Sequence, residues 1–179
     1  AAGQLGRELR PRLKAYCDVL RVSDQNDLGT AAVGEEIQTA DLASASDMQT
    51  LLKDVNAVVH LGGVSTEQPW APILASNIVG MVNLYEAARV QGTKRIVFAS
   101  SNHVTGFYRQ DEVVNTKMPP KPDGFYGLSK AFGEDLAELY WARWGIETVS
   151  LRIGSSYAEP KDRRMLATWL SFDDLERLV

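Results

Sequence analysis

Three residues in this chain have the types needed to take a proton from an alcohol: Ser101, Tyr126 and Lys130. Tyr126 and Lys130 are four residues apart in the stretch YGLSK, so they would share one face of a helix. A free phenol, with a pKa of about 10, is too weakly ionised near neutral pH to act as a base. A nearby ammonium stabilises the phenolate and lowers that pKa. The pattern predicts Tyr126 as base, Lys130 as its activator and Ser101 as a partner for the substrate oxygen.

A tyrosine and a lysine on the surface of an amphipathic helix would have the same spacing, so the surrounding elements must decide. Segments of strand type alternate with segments of helical periodicity. The predicted strands are 17–24, 35–41, 56–63, 94–101 and 147–154, and the predicted helices are 46–54, 72–92 and 126–144. This alternation indicates βαβ crossovers, a parallel sheet and helices on both faces. The sequence therefore predicts a doubly wound α/β domain of Rossmann type.

The two ends of the sequence resemble interrupted elements. The opening AAGQLG reads as the middle of a motif, and the closing SFDDLERLV reads as the first turns of a helix. We therefore expect residues 1–179 to form one Rossmann-type domain that belongs to a longer chain, without its first strand and its C-terminal part. Its substrate-side residues would lie in 101–125 and 154–179.

Small, polar or acidic residues stand at the ends of four predicted strands. These ends are Asp24, Leu61–Gly63, Ser100–His103 and Gly154–Ser155. Ligands of open parallel sheets bind at the carboxyl ends of the strands. We therefore expect these residues to line one edge of the sheet together with Tyr126 and Lys130.

The opening residues predict a dinucleotide site. Gly3 and Gly6 have the G-x-x-G spacing that ends the dinucleotide fingerprint, in which phosphates sit on a helix N-terminus. Asp24 would hold the ribose hydroxyls of NAD and repel the extra phosphate of NADP. The alternatives are a helix start without a ligand and an aspartate that merely stops a strand. Asp41 could face the adenine ring or cap the following helix.

The remaining polar candidates are the two histidines and one long loop. His60 lies inside an apolar strand pattern and is expected in the core, whereas His103 follows the serine pair and is expected to touch the substrate. No cysteine or carboxylate cluster has the spacing of metal ligands. The segment 107–125 contains three prolines, which forbid a regular helix and indicate a functional loop.

The bulk composition is that of an ordinary globular domain, with 45% hydrophobic and 23% charged residues. The net charge of −4 argues against nucleic acid as a partner. Cys17 is the only cysteine, so no disulfide forms within the chain, and we expect a cytoplasmic protein. No apolar run is long enough to span a bilayer, so no membrane partner is expected.

Five segments of the chain resemble a known family. They are HLGGVS (60–65), FASSNH (98–103), YGLSKAFGE (126–134), LRIGS (151–155) and RMLATW (164–169). Together they resemble the uronate dehydrogenases within the extended short-chain dehydrogenase/reductase superfamily. Sugar epimerases of that superfamily usually show Ser-Ser-x-x-Val-Tyr-Gly, but here Thr105 stands at the tyrosine position. The resemblance implies oxidation of D-glucuronate or D-galacturonate at C1 with NAD, giving an aldarolactone.

The resemblance also implies roles for matching positions. Tyr126 would be the base at the C1 hydroxyl, Lys130 would also hold the nicotinamide ribose, and Ser101 would bind the reacting oxygen. The sugar acid would contact Ser65, Ser101, Asn102, His103, Ser155 and Arg164. The NAD site would comprise Gly3, Gln4, Leu5, Gly6, Asp24, Asp41, Leu42, Leu61, Gly62, Gly63, Tyr126 and Lys130. We also expect a homo-oligomer.

Two other functions remain open at this point. The first is an NAD-dependent sugar-nucleotide epimerase, which would keep its NAD bound and need a pocket for the nucleotide. The second is a Rossmann-type redox sensor that binds NAD and a protein partner but performs no catalysis. A sensor has no need for Ser101, Tyr126 and Lys130 together, and their joint presence counts against it.

Overall fold

The computed structural model describes residues 1–179 and contains parallel strands and helices in alternation. The strands are β1 (Leu20–Asp24), β2 (Glu35–Thr39), β3 (Ala57–His60), β4 (Arg95–Ser101) and β5 (Glu147–Ile153). The helices are α1 (Gln4–Leu13), α2 (Ala45–Leu51), α3 (Trp70–Ile73), α4 (Gly80–Gln91), α5 (Phe125–Trp144) and α6 (Phe172–Leu178). Every predicted strand is present, and each is shorter than predicted, β1 and β3 most of all. None of the helices has an apolar stretch of the length that a membrane crossing needs.

The strands form two parallel sheets rather than one continuous sheet. In the first sheet β1 pairs with β2, with Leu20 opposite Glu35. In the second, β4 lies between β3 and β5 and pairs with both. No ladder joins β1 to β3. The parallel pairing confirms the α/β class, and the division into two parts is a feature that the strand pattern alone did not predict.

The strands of the two sheets present their carboxyl ends on the same side of the domain. Leu42 follows β2, and Gly62 follows β3. A Cβ atom added to Gly62 would lie 2.9 Å from Leu42 Cδ1, so these two segments are in close contact. The side-chain amide of Asn83 on α4 donates to the Leu42 carbonyl oxygen at 2.9 Å. The strand ends therefore meet at one edge, as the sequence predicts.

Helix α5 packs tightly against β4 along a narrow face. Gly133 permits this approach, because a Cβ atom there would lie 2.7 Å from the Phe98 ring and 3.1 Å from the Met81 methyl group. Tyr126 and Lys130 belong to the same buried face of the helix. The helix ends at Gly145, whose φ of 69° lies in the left-handed region that glycine adopts readily. The packing of α5 thus fixes where Tyr126 and Lys130 enter the site.

The predicted helix 72–92 is present but is not α-helical throughout. Residues Leu74–Val79 form a π-helix between α3 and α4. Asn77 lies in this segment and is buried. Its Oδ1 accepts from Val64 N at 2.8 Å, and its Nδ2 donates to Val64 O at 3.0 Å and to Ser129 Oγ at 2.9 Å. The π segment therefore ties the loop after β3 to α5.

Candidate active site

Ser101, Tyr126 and Lys130 come together where β4 ends and α5 begins. Ser101 is the last residue of β4, and Tyr126 and Lys130 lie in the first two turns of α5. All three residues are buried, with exposed fractions of 4%, 9% and 6%. Lys130 Nζ donates to Ala99 O at 2.8 Å and lies 5.6 Å from the centre of the Tyr126 ring. The structure thus buries the predicted triplet together where β4 meets α5.

The electrostatics of this pocket differ from the prediction in one respect. Burial raises the pKa of Tyr126 above its ordinary value, and the neighbouring Ser101 hydroxyl offsets this only in part. Burial also lowers the pKa of Lys130 to about 8, because the charged ammonium is poorly solvated there. The prediction that Lys130 holds the Tyr126 pKa below its ordinary value is therefore wrong for the chain by itself.

His60 lies in the core beneath this pocket, as the sequence predicts. It ends β3 and stacks on Phe98, with the ring centres 5.8 Å apart. Burial, helped by the nearby charge of Lys130, lowers the pKa of His60 to about 3. The imidazole is therefore neutral at physiological pH and adds no charge to the site.

The segment after Ser101 turns sharply and carries the predicted substrate contacts. Asn102–Thr105 form a single 3-10 turn, and Ser101 Oγ accepts the first free N–H of that turn, from His103, at 3.2 Å. Asn102 and His103 are exposed on the open side of the site. The His103 ring meets the Tyr126 ring edge-on, with the centres 5.5 Å apart. The turn therefore places His103 beside the candidate base.

A carboxylate that the sequence analysis did not single out holds the start of α5. Glu67 accepts from Phe125 N at 3.0 Å through Oε1 and from Tyr126 N at 2.9 Å through Oε2. No side chain within α5 caps this end. A carboxylate also interacts favourably with the positive end of the helix dipole. Glu67 therefore fixes the backbone of the residue that carries the candidate base.

We expect Glu67→Ala to lower the free energy of unfolding by about 1 kcal/mol, since two helix N–H groups lose their partner. Glu67→Gln keeps an acceptor and should lose less. Urea unfolding of both variants checks this. The exposed Glu138 lies in the middle of α5, and Glu138→Ala is the control. If Glu67→Ala and Glu138→Ala were equally stable, the cap would have no measurable energetic role.

A second network joins α5 to the ends of β4 and β5. Ser100 Oγ donates to Glu134 Oε1 at 2.5 Å, and Arg152 donates to the same carboxylate, with Nη2 2.7 Å from Oε2. Glu134 follows Lys130 by one helical turn, and Ser100 precedes Ser101. The network therefore braces the elements that carry the serine and the lysine. An arginine within the apolar strand pattern of 147–154 was the signal in the sequence for this ion pair.

The start of α1 has the properties of a phosphate site. No side chain caps this helix, whose first-turn N–H groups have no partner within the helix. A Cβ atom on Gly3 would meet nothing within 4 Å, so the space beside it is open. Gly6 is buried and has no such space, because a Cβ atom there would lie 2.5 Å from Ala1 O. The Gln4 amide donates to Ser156 O at 3.3 Å and joins α1 to the segment after β5.

Asp24 ends β1 beside the start of α1, as predicted. Its Oδ2 lies 2.7 Å from both Ala1 N and Ala2 N. Its Oδ1 accepts from the backbone and the side chain of Asn26, both at 3.0 Å.

Asp41 and Leu42 follow β2 on the same edge. Asp41 Oδ1 accepts from Ala43 N at 2.8 Å and shapes the turn there. Asp41 is not the helix cap, since Ser44 caps α2 through the N–H of Asp47 at 3.2 Å. Leu42 packs beside Gly62, and Gly63 has a φ of 108°, which a side chain would rarely allow. Leu61 precedes these glycines.

Three of the predicted sugar contacts lie on the segments that follow β3 and β5. They are Ser65 after β3 and Ser155 and Arg164 after β5. Ser155 exchanges backbone hydrogen bonds with the segment 168–170, through Thr168 O at 3.0 Å and Leu170 N at 2.8 Å. Arg164 lies on the exposed turn that this pairing closes, and no hydrogen bond or salt bridge joins its guanidinium to another residue. Ser65 is exposed in the loop after β3. No hydrogen bond joins Ser65, Ser155 and Arg164 to one another.

These features fit a dinucleotide. The uncapped start of α1 lies next to Asp24 at the end of β1. Leu42, which follows β2, lies beside Gly62, which follows β3. The buried tyrosine and lysine lie farther along the same edge. The residues present can therefore hold phosphates, a ribose and flat rings in succession.

Comparisons with known proteins agree with this architecture. Residues 1–171 match the model of the NAD dependent epimerase/dehydratase family. The uronate dehydrogenase of Pseudomonas putida is 55% identical over 180 residues, covering 100% of this chain and 67% of that protein. The chain therefore spans about two thirds of the length of this relative.

Two solved structures are similar over almost the whole chain. The glucuronic acid dehydrogenase of Chromohalobacter salexigens has a TM-score of 0.97 and 53% identity, covering 99% of this chain and 66% of that one. A mutant uronate dehydrogenase of Agrobacterium tumefaciens, complexed with NAD, has a TM-score of 0.97 and 48% identity, covering 99% of this chain and 67% of that one. The Rossmann-type fold predicted from the sequence is thereby confirmed.

Proposed function

This chain belongs to the NAD dependent epimerase/dehydratase family, and we propose that the protein carrying it oxidises a hexuronic acid at C1 with NAD as the hydride acceptor. One observation carries the proposal: Ser101, Tyr126 and Lys130 are buried together at the edge where the candidate dinucleotide residues also lie. The similarity to uronate dehydrogenases supports D-glucuronate or D-galacturonate as substrate and an aldarolactone as product.

The NAD molecule would lie along the carboxyl edge of the strands. Gly3, Gln4, Leu5 and Gly6 would hold the phosphates through the start of α1, and Asp24 would hold the adenosine ribose. Leu42 and Gly62 would border the adenine, together with Asp41, Leu61 and Gly63. Lys130 would hold the nicotinamide ribose. When bound, NAD supplies a hydride acceptor at C4 of its nicotinamide and a positive charge beside Tyr126.

Proton removal would be the task of Tyr126. Its phenolate takes the proton of the C1 hydroxyl while the C1 hydrogen leaves with its electron pair as hydride, so that C1 and its oxygen form a double bond. Ser101 donates a hydrogen bond to that oxygen. Lys130 lies one turn from Tyr126, and its charge would add to the positive charge of the cofactor and favour the phenolate.

Recognition of the sugar acid would involve residues on the open side of this pocket. Arg164 has an exposed guanidinium without a partner, and such a group can donate two parallel hydrogen bonds to a carboxylate. The remaining candidates for contact with the ring hydroxyls are Ser65, Asn102, His103 and Ser155. A neutral sugar has no carboxylate for this guanidinium to bind, so the pair would favour acids over neutral sugars.

The test uses a protein that contains this chain and spans the full length of the relatives. It is mixed with NAD and either D-glucuronate or D-galacturonate, and the absorbance of NADH is followed, with UDP-glucose as control. A rise with the uronates alone is the expected result. A flat trace from folded, NAD-binding protein would exclude the dehydrogenase, and a product isomerised from UDP-glucose would favour the epimerase.

The role of Asp24 gives a separate prediction about the cofactor. Asp24→Ser should weaken NAD binding by about tenfold and improve the acceptance of NADP, because the carboxylate that repels the 2′-phosphate is gone. Steady-state kinetics with both cofactors measure the ratio. Asp27→Ser removes the same charge three residues away, in an exposed turn, and is the control. An unchanged NAD to NADP ratio in Asp24→Ser would exclude Asp24 from the ribose site.

A further inference from the structure

His103 makes a paired contact that the proposed reaction has not used. Its Nδ1 lies 2.9 Å from both oxygens of Asp123. Asp123 lies in the long loop 107–125, just before α5, so the contact joins this loop to the turn after β4. The opposite nitrogen of the ring, Nε2, has no hydrogen-bond partner within the chain. The imidazole is therefore anchored on one side and free on the other.

Two glycines make room for this contact. A Cβ atom on Gly106 would lie 2.1 Å from Asp123 Oδ2, so any side chain there would push the carboxylate away. A Cβ atom on Gly127 would lie 2.5 Å from the carbonyl oxygen of His103 and 3.2 Å from Asp123 Oδ1. The contact between Gly127 and the His103 carbonyl oxygen involves backbone, which cannot move aside as a flexible side chain can. The His103–Asp123 pair is therefore built into the surrounding backbone.

An ionised carboxylate accepts hydrogen bonds and donates none. The contact between a neutral imidazole and Asp123 therefore requires a proton on Nδ1. The neutral ring then has a bare Nε2, which accepts hydrogen bonds and donates none. We propose that Asp123 is a positioning residue that holds His103 in this tautomer, so that Nε2 accepts a hydrogen bond from a hydroxyl group of the sugar acid.

The proposal rests on the proposed function for the identity of the ligand and narrows what His103 can bind. A bare Nε2 cannot donate to the carboxylate of a uronate, whereas a sugar hydroxyl is a natural donor to it. The carboxylate then falls to Arg164, whose guanidinium only donates. Arg164 would thus donate to the carboxylate, and His103 would accept from a hydroxyl group. The edge-on contact between the His103 and Tyr126 rings places His103 beside the candidate base.

The tautomer can be measured directly, because the sequence contains only two histidines. The NAD-bound, full-length protein, labelled with ¹⁵N-histidine, is studied by long-range ¹H–¹⁵N correlation NMR at a pH of about 8.5, above the ordinary range of histidine. His103→Gln assigns the two rings. We expect His103 with Nδ1 protonated, and loss of that preference in Asp123→Ala. A ring protonated on Nε2, or a preference that survives in Asp123→Ala, would overturn the proposal.

Kinetics test the proposed hydrogen bond between the sugar hydroxyl group and His103 Nε2. Asp123→Asn keeps the shape of the side chain but can donate to Nδ1 as well as accept from it, so the ring is free to reverse. We expect KM for the uronate to rise about tenfold, with kcat changed less than about threefold, since the contact is present in both substrate and transition state. Asp111→Asn, in the same loop, removes an equal charge and is the control.

The two readouts separate the failure of this proposal from the failure of the proposed function. A wild-type protein that shows the expected tautomer but oxidises no uronate would refute the function and the sugar contact while leaving the role of Asp123 intact. Uronate oxidation by the wild type, with the same KM in Asp123→Asn and Asp111→Asn, would refute the sugar contact alone.

Discussion

Replacing Tyr126 with phenylalanine is expected to lower kcat for uronate oxidation by about 10³-fold or more, because the variant has no group to accept the C1 hydroxyl proton. The ring itself stays, so the edge-on packing against His103 and the burial of α5 are preserved. NAD affinity should change little. Stopped-flow or steady-state measurement of NADH formation gives the rate, and a fluorescence titration gives the affinity for NAD.

The matched control for this variant is Tyr108→Phe. Tyr108 lies in the loop 107–125, and its hydroxyl donates to Pro119 O at 2.9 Å, away from the Ser101 hydroxyl. It should retain nearly full activity. Turnover by Tyr126→Phe at the wild-type rate would rule out the proposed base, whatever the substrate turns out to be.

Lys130→Met is expected to lower the activity and, at the same time, to raise the stability of the folded state. Removal of the ammonium deprives the phenolate of a stabilising charge and the nicotinamide ribose of a donor. We expect kcat/KM to fall by about 10²-fold to 10⁴-fold. The methionine chain is of similar length and can pack against Phe98, which the Lys130 ammonium now faces at 4.9 Å from the ring centre.

The second effect is a gain in stability, since burial lowers the pKa of Lys130 from 10.5 to about 8. This shift corresponds to a cost of about 3 kcal/mol for holding the charged form in the folded state. Below pH 8 the lysine is charged in both states, and the full cost is present. Between pH 8 and 10.5 the folded state releases its proton first, so the cost shrinks, and above this range it is gone.

Urea unfolding without NAD, at pH 7 and at pH 10, measures this effect. Lys130→Met should be more stable than the wild type at pH 7, by an amount that narrows at pH 10. Lys94→Met replaces an exposed lysine and should show no such pH dependence. A stability difference that is the same at both values would mean that the lysine is not desolvated, and the argument for its burial would fail.

The parts of the site that the sequence could predict are those that follow from position along the chain. Asp24, Ser101 and Ser155 each come directly after an apolar run, and parallel strands bring such residues to one edge. Tyr126 and Lys130 share a helix face because of their spacing alone. Each of these inferences needs only local pattern and one rule of topology, and the structure places all five residues accordingly.

Other parts depend on contacts between segments far apart in the chain, which no local pattern encodes. Glu67 is 58 residues from the N–H of Phe125 that it accepts. The loop that joins Asp123 to His103 contains no periodic signal. The direction of the Tyr126 pKa shift depends on how deeply the phenol is buried, and the sequence shows only that a lysine is one turn away. The sequence likewise does not predict the π-helix, because Asn77 falls within an ordinary helical pattern.

The hydrogen bonds of Asn77 make the stretch from Asn77 to the end of α4 intolerant of insertions and deletions. Adding or removing one residue there would rotate Asn77 relative to α4 by about 100° about the helix axis. The amide would then face away from Val64 and Ser129. Among homologues, the number of residues from Asn77 to the end of α4 should therefore be fixed.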